Sequence, residues 1–179
     1  MLLIHEKSSQ RIAGSLWVDG GGSATKMDKK ERYQDLLRQL RALFNHEFDR
    51  IANMSNMTSV IFDRVPGLNG VTFYRWENDE LILGPFQGKV ACMHIPLGKG
   101  VCGKVAATKQ TEIVPDVHQF PGHIACDARS KSEIVVPVFW PGNNRFFGVL
   151  DLDSPLFNHF DTVDAAYLKQ MAPLIFGVK

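Results

Sequence analysis

The chain has 179 residues, of which 45% are hydrophobic and 22% charged, and its formal net charge is +1 at pH 7. Such a composition suits one globular domain that removes roughly two-thirds of its unfolded surface from water, and it lacks the global field that recruits nucleic acid or an anionic membrane surface. The longest apolar runs, such as 133–140, fall well short of the roughly 20 residues that span a bilayer, so no membrane helix is expected and the partner is a small or neutral molecule.

Residues 1–26 show neither periodicity nor a signal-peptide layout, and Asp19-Gly-Gly-Gly-Ser-Ala24 is linker chemistry. They are expected to be an extension, disordered or not native, in front of a single domain at 27–179. Asp28 is placed to cap a helix, with Glu31 completing a capping box. Tyr33, Leu36, Leu37, Leu40, Leu43 and Phe44 recur at helical spacing, and the spacing predicts helix on through Phe48, Ile51 and Ala52. A second short helix is predicted over Met54 to Phe62, stopping before Pro66-Gly67.

Strands follow. Gly70 to Trp76 alternates, Glu77-Asn-Asp79 is turn chemistry and Glu80 to Leu83 completes a hairpin. Lys89 to Pro96 reads as another strand, and Gly98-Lys-Gly100 separates it from a helix over Val101 to Thr108. Beyond a loop from Pro115 to Arg129, Glu133 to Trp140 and Arg145 to Asp153 form two strands about the turn Pro141-Gly-Asn-Asn144. Asp161 caps a closing helix with Val163, Tyr167, Leu168, Met171 and Leu174 on one face. This order predicts an α+β domain, a mostly antiparallel sheet with helices on one side.

Three cysteines, Cys92, Cys102 and Cys126, fall within 35 residues and none forms a CxxC pair. An odd count in a chain of this size fits a reducing compartment, so a cytoplasmic protein is expected. Cys126 sits on a polar loop with His123, Arg129 and Lys131, cations able to raise its thiolate fraction above the roughly 3% of an unperturbed thiol at pH 7. Cys92, in a strand, and Cys102, at a helix start, each read alone as core packing. Together they offer the second thiol that a sulfenic acid needs for discharge as a disulfide.

Asp151 and Asp153, two apart on a strand, point to one face while Leu150 and Leu152 point to the other. Like charges held close raise a pKa, so one of the pair can serve as an acid near neutral pH; the bland alternative is that Asp153 opens a water-facing turn. The hairpin brings Glu133 toward them. A zinc site can be drawn from Cys92 with His94, or from His118, His123 and Cys126, but no recognised ligand spacing supports it and no metal is expected. A Cys126, His123, Asp116 hydrolase triad is also conceivable, and spacing alone does not establish one.

The blocks Leu83-Gly-Pro-Phe-Gln-Gly-Lys-Val-Ala-Cys92, Gly98-Lys-Gly-Val-Cys-Gly103, Asp116-Val-His118, Gly122-His-Ile-Ala-Cys-Asp127, Ser132-Glu133-Ile134 and Gly148-Val-Leu-Asp-Leu-Asp-Ser-Pro155 closely resemble the free methionine-(R)-sulfoxide reductases. The likeness covers about residues 28–177, in the family's order and with its cysteine spacing. It implies the GAF fold, an antiparallel sheet with flanking helices. It further implies that Cys126 attacks the sulfoxide sulfur, that Cys92 resolves the product with Cys102 as an alternative resolver, and that Glu133, Asp151 and Asp153 hold and protonate the substrate. The substrate implied is free methionine-(R)-sulfoxide, with no bound cofactor and with thioredoxin, or dithiothreitol in vitro, as reductant. GAF domains often pair through helices, which makes a homodimer through 28–52 plausible. The family's Asn-Trp-Ala-Gly-Phe-Tyr is Asn69-Gly-Val-Thr-Phe-Tyr74 here; Gly70 replaces the tryptophan that walls the substrate's methyl group, while Tyr74 remains. The alternative from another class is a non-catalytic GAF module that binds a small ligand or senses oxidants.

Overall fold

The computed structural model describes residues 27–177, so the expected extension at 1–26 lies outside the described residues. Helix α1 (Lys29–Leu43) starts as its sequence requires: the Asp28 carboxylate accepts from the Glu31 backbone N–H at 2.7 Å, and the Glu31 carboxylate accepts from the Asp28 N–H at 3.2 Å. Its buried stripe is Tyr33, Leu36, Leu37 and Leu40. The helix does not run on through Phe48 and Ile51. It stops at Leu43, His46 takes a positive φ, and Asp49 caps a new helix, α2 (Arg50–Arg64), by accepting from the Ala52 N–H at 2.9 Å. Phe48 and Ile51 continue the apolar spacing of α1 but are exposed, which is why periodicity alone ran the two helices together and started the second too late.

Six strands make one sheet, β1 (Gly70–Glu77), β2 (Glu80–Gly88), β3 (His94–Pro96), β4 (Glu112–Val114), β5 (Ser132–Phe139) and β6 (Phe146–Ser154), in the order β3-β2-β1-β6-β5-β4 with every pair antiparallel. One expectation changes and one strand is new. The strand expected from Lys89 is only His94–Pro96, so residues 89–93, Cys92 among them, form a loop. The edge strand β4, three residues long, is too short for an alternation to declare itself in sequence.

Alternation decides the two faces. On one, Val71, Phe73, Ile134, Val136, Val138, Leu150 and Leu152 pack with α1, α2 and the closing helix α4 (Thr162–Met171). On the other, Tyr74, Val135 and Val149 pack with Val101, Cys102, Val105 and Ala106 of α3 (Gly100–Thr108). Helices therefore cover both faces, and the expectation of helices on one side is corrected. The sheet's second face carries apolar residues too, and α3 is the element that removes them from water. No helix among the described residues is long and apolar enough to cross a membrane.

One polar knot ties the ends of the domain together. Asp164, capped into the first turn of α4 and 2% exposed, accepts from Tyr33 Oη at 2.8 Å and from Lys29 Nζ at 2.6 Å. Removing the carboxylate strands a buried hydroxyl and leaves Lys29 with Asp161 as its remaining carboxylate partner, at 2.9 Å, whereas removing the hydroxyl breaks one bond. Asp164→Ala is therefore expected to cost about 3 kcal/mol of stability and Tyr33→Phe about 1 kcal/mol, measured as shifts in urea unfolding free energy.

Candidate active site

Along the second face, toward the start of β1 and β5 and the end of β6, the side chains change from apolar to acidic. Glu133 lies directly across from Asp153, and Asp151 lies between Thr72 and Val135. Because Leu150 and Leu152 are fully buried on the opposite face, the period of two leaves both aspartates on this one. A cavity of about 40 Å³ opens here, with Tyr74, Cys102, Glu133, Asp151 and Asp153 in its walls and His123 and Cys126 contributed by the loop above.

That loop is latched by a disulfide between Cys126 and Cys92, whose Cα atoms are 5.6 Å apart. The predicted loop around 115–129 and the loop at 89–93 are thus joined covalently over the acids. Cys102 is the free thiol, 4% exposed on the first turn of α3. Burial pushes its pKa well up, and the charges of Asp151 and Glu133 add to the effect.

The cations expected to activate Cys126 are engaged elsewhere. Arg129 donates from Nε and Nη2 to the Asp127 carboxylate, holding it well below the usual carboxylate range, and Lys131 Nζ sits over the Phe157 ring. An acidic residue directly beside the cysteine captures the guanidinium. His123 instead places Nε2 at 3.4 Å from Glu133 Oε2, and burial keeps its pKa below the ordinary value. The conceivable triad does not assemble, since Asp116 accepts from the ring and backbone of His118 and from Gln119. The drawn zinc sets fare no better: Cys92 lies in a loop and in the disulfide, and His94 pairs with Glu80 at 3.0 Å.

All three acids are pushed upward. Glu133 (5% exposed) and Asp151 (7% exposed) are raised well above the carboxylate range, first by burial and then by the neighbouring negative charge of Asp153. Asp153 is raised to about 6, again chiefly by burial, with Ser130 hydrogen bonding and the His123 charge pulling back. Burial thus favours the protonated form of all three over that of an exposed carboxyl.

Sequence reasoning missed the residues that hold this arrangement. Asn69 donates from Nδ2 to Asp127 and to Ser130 Oγ, each at 3.0 Å, and its backbone N–H donates to the Asp153 carbonyl. It joins the loop that carries Cys126 to the sheet, and a polar residue just before a strand gives no signal of that in sequence. Gly70 faces the acids: a Cβ there would lie 3.2 Å from Asp153 Oδ2.

The GAF domain family model matches residues 28–175. The free methionine-R-sulfoxide reductase of Escherichia coli (strain K12) is 46% identical over 145 residues, covering 81% of this chain and 87% of that protein. The enzyme of the same name from Saccharomyces cerevisiae is 43% identical over 159 residues, covering 85% and 88%. The X-ray structure of free methionine-R-sulfoxide reductase from Neisseria meningitidis in complex with its substrate superposes with a TM-score of 0.79 at 42% identity, covering 84% of this chain and 90% of that one.

Asp153 has a folded pKa above its unfolded value, so its contribution to stability is full below about pH 4 and is lost as pH rises through about 6. Asp153→Asn removes that loss. The difference in Tm between the variant and the parent is expected to grow in the variant's favour from pH 4 to pH 6.5; a constant difference across that range counts against the assignment.

Proposed function

The chain belongs to the GAF-domain family and, within it, to the free methionine-R-sulfoxide reductases, and from that premise we propose a thiol cycle that runs between Cys126 and Cys92. The Cys126 thiolate attacks the sulfur of free L-methionine-(R)-sulfoxide. The sulfoxide oxygen takes a proton from the Glu133 and Asp151 carboxylic acids, since a nucleophile does not expel it unaided. Methionine leaves, and Cys126 keeps the oxygen as a sulfenic acid. The Cys92 thiolate then attacks the Cys126 sulfur, the oxygen departs as water after taking a second proton, and the disulfide closes. A dithiol, thioredoxin in the cell or dithiothreitol in vitro, supplies the two electrons that reopen it, and no bound cofactor enters the cycle.

The observation that carries this reading is the Cys92–Cys126 bond at the rim of a cavity walled by three acids. It supports Cys92 rather than Cys102 as the resolving thiol, because Cys102 lies buried beside Asp151 and outside the bond. The acids divide the labour: Asp153 pairs with the substrate's ammonium group, and Glu133 and Asp151, whose burial favours the protonated form, supply the proton. Tyr74, wholly buried beneath them, bounds the site from the sheet. Gly70 lies against Asp153 and has no side chain to wall the methyl group, so that group is held by fewer contacts, a loss of about 1 to 3 kcal/mol in recognition relative to an apolar wall. Exposed Val90, Met93, Leu97 and Ile124 lie within five residues of one or other bonded cysteine, an apolar setting that suits a protein reductant.

Methionine released from L-methionine-(R)-sulfoxide tests the cycle. Cys126→Ser is expected to release none with either reductant. Cys92→Ser is expected to release one equivalent and then to stall with thioredoxin; absence of that first equivalent would reverse the roles given to the two cysteines.

A further inference from the structure

We propose that Cys102, Glu133 and Asp151 form a binding site for a borderline-soft divalent cation, zinc above all, and that the cation and the sulfoxide substrate exclude each other. One ligand atom from each of the three residues, the Cys102 sulfur and a carboxylate oxygen of Glu133 and of Asp151, lies within 4.8 Å of the other two, and all three residues are buried. In a tetrahedral zinc site, sulfur at 2.3 Å and oxygen at about 2.0 Å put neighbouring donors roughly 3.5 Å apart, so small side-chain adjustments close the shell. Asp151 Oδ1, in a side chain more than nine-tenths buried, has no hydrogen-bond partner. A buried carboxylate oxygen without a partner is costly unless something occupies the space before it.

The donor set speaks for a metal rather than an ammonium group alone. A thiolate with two carboxylates matches a borderline cation, and an ammonium gains nothing from a sulfur ligand. Among the described residues, the ion-pairing contact to the trio is His123 to Glu133 at 3.4 Å, and a cation entering the site would displace the protons of its three ligands. The cavity of about 40 Å³ has room for an ion and a bound water. No spacing in the sequence announces the site, because its donors come from the first turn of α3, the start of β5 and the body of β6.

Mutual exclusion rests on the placement of substrate proposed above, whereas the site itself does not, and the experiment separates the two. Untagged full-length protein is oxidised so that Cys92 and Cys126 are bonded and Cys102 is the remaining thiol. Cobalt(II) is titrated as a spectroscopic stand-in, and zinc is titrated by calorimetry. Wild type is expected to show a near-ultraviolet thiolate-to-cobalt charge-transfer band that C102S lacks, and zinc affinity is expected to fall at least tenfold in both C102S and E133Q, each checked for native circular dichroism. No band in wild type, or a zinc affinity that neither substitution changes, overturns the proposal. In reduced protein, L-methionine-(R)-sulfoxide is expected to weaken zinc binding measured before turnover in C126S. Zinc held equally well with and without it leaves the metal site standing and overturns the placement of substrate.

Discussion

The register between β5 and β6 is the constraint on which the site depends. With Glu133 opposite Asp153 and Ile134 opposite Leu152, the same pairing that seals the larger core forces three carboxyl groups together on the other face. A slip of one residue would put the acids into the helical core and the leucines into the cavity. The core therefore enforces an arrangement of charge that the acids themselves oppose. The large burial of Ile134, Leu150 and Leu152 holds against that repulsion.

Raised pKa values follow from the same constraint. The acids are crowded because the strands are paired, and they are desolvated because α3 and the 122–127 loop cover them. A carboxyl whose burial favours the protonated form is suited to give up a proton. The covering loop is held at two points of different kind: a hydrogen-bonded anchor through Asn69, Asp127 and Ser130, and the covalent latch to Cys92.

The places where reading the chain alone went astray share a cause. Phe48 and Ile51 carry helical spacing but no burial, and periodicity does not tell a continuous helix from two helices whose phases happen to match. The cap at Asp49 was the available signal. Arg129 looked like an activator of Cys126 because it is three residues away, yet a carboxylate at Asp127 is nearer and better aligned for its planar fork. The apolar run around Cys92 has strand composition, yet most of it lies in an irregular loop.

Local chemistry was sufficient for much of the rest. The Asp28 and Asp161 caps, the 77–79 turn, the β5–β6 hairpin and the shared face of Asp151 and Asp153 all follow from rules that act over a few residues, and the three-cysteine blocks identified the family. What only the folded chain decided is which groups meet across long separations: that Cys92 rather than Cys102 bonds Cys126, that α3 covers the second face, that Asn69 anchors the loop, and that a thiol and two acids converge from three elements. Spacing along a chain encodes direction and periodicity, whereas proximity between distant segments depends on how two hydrophobic faces pack, and no local pattern carries that information.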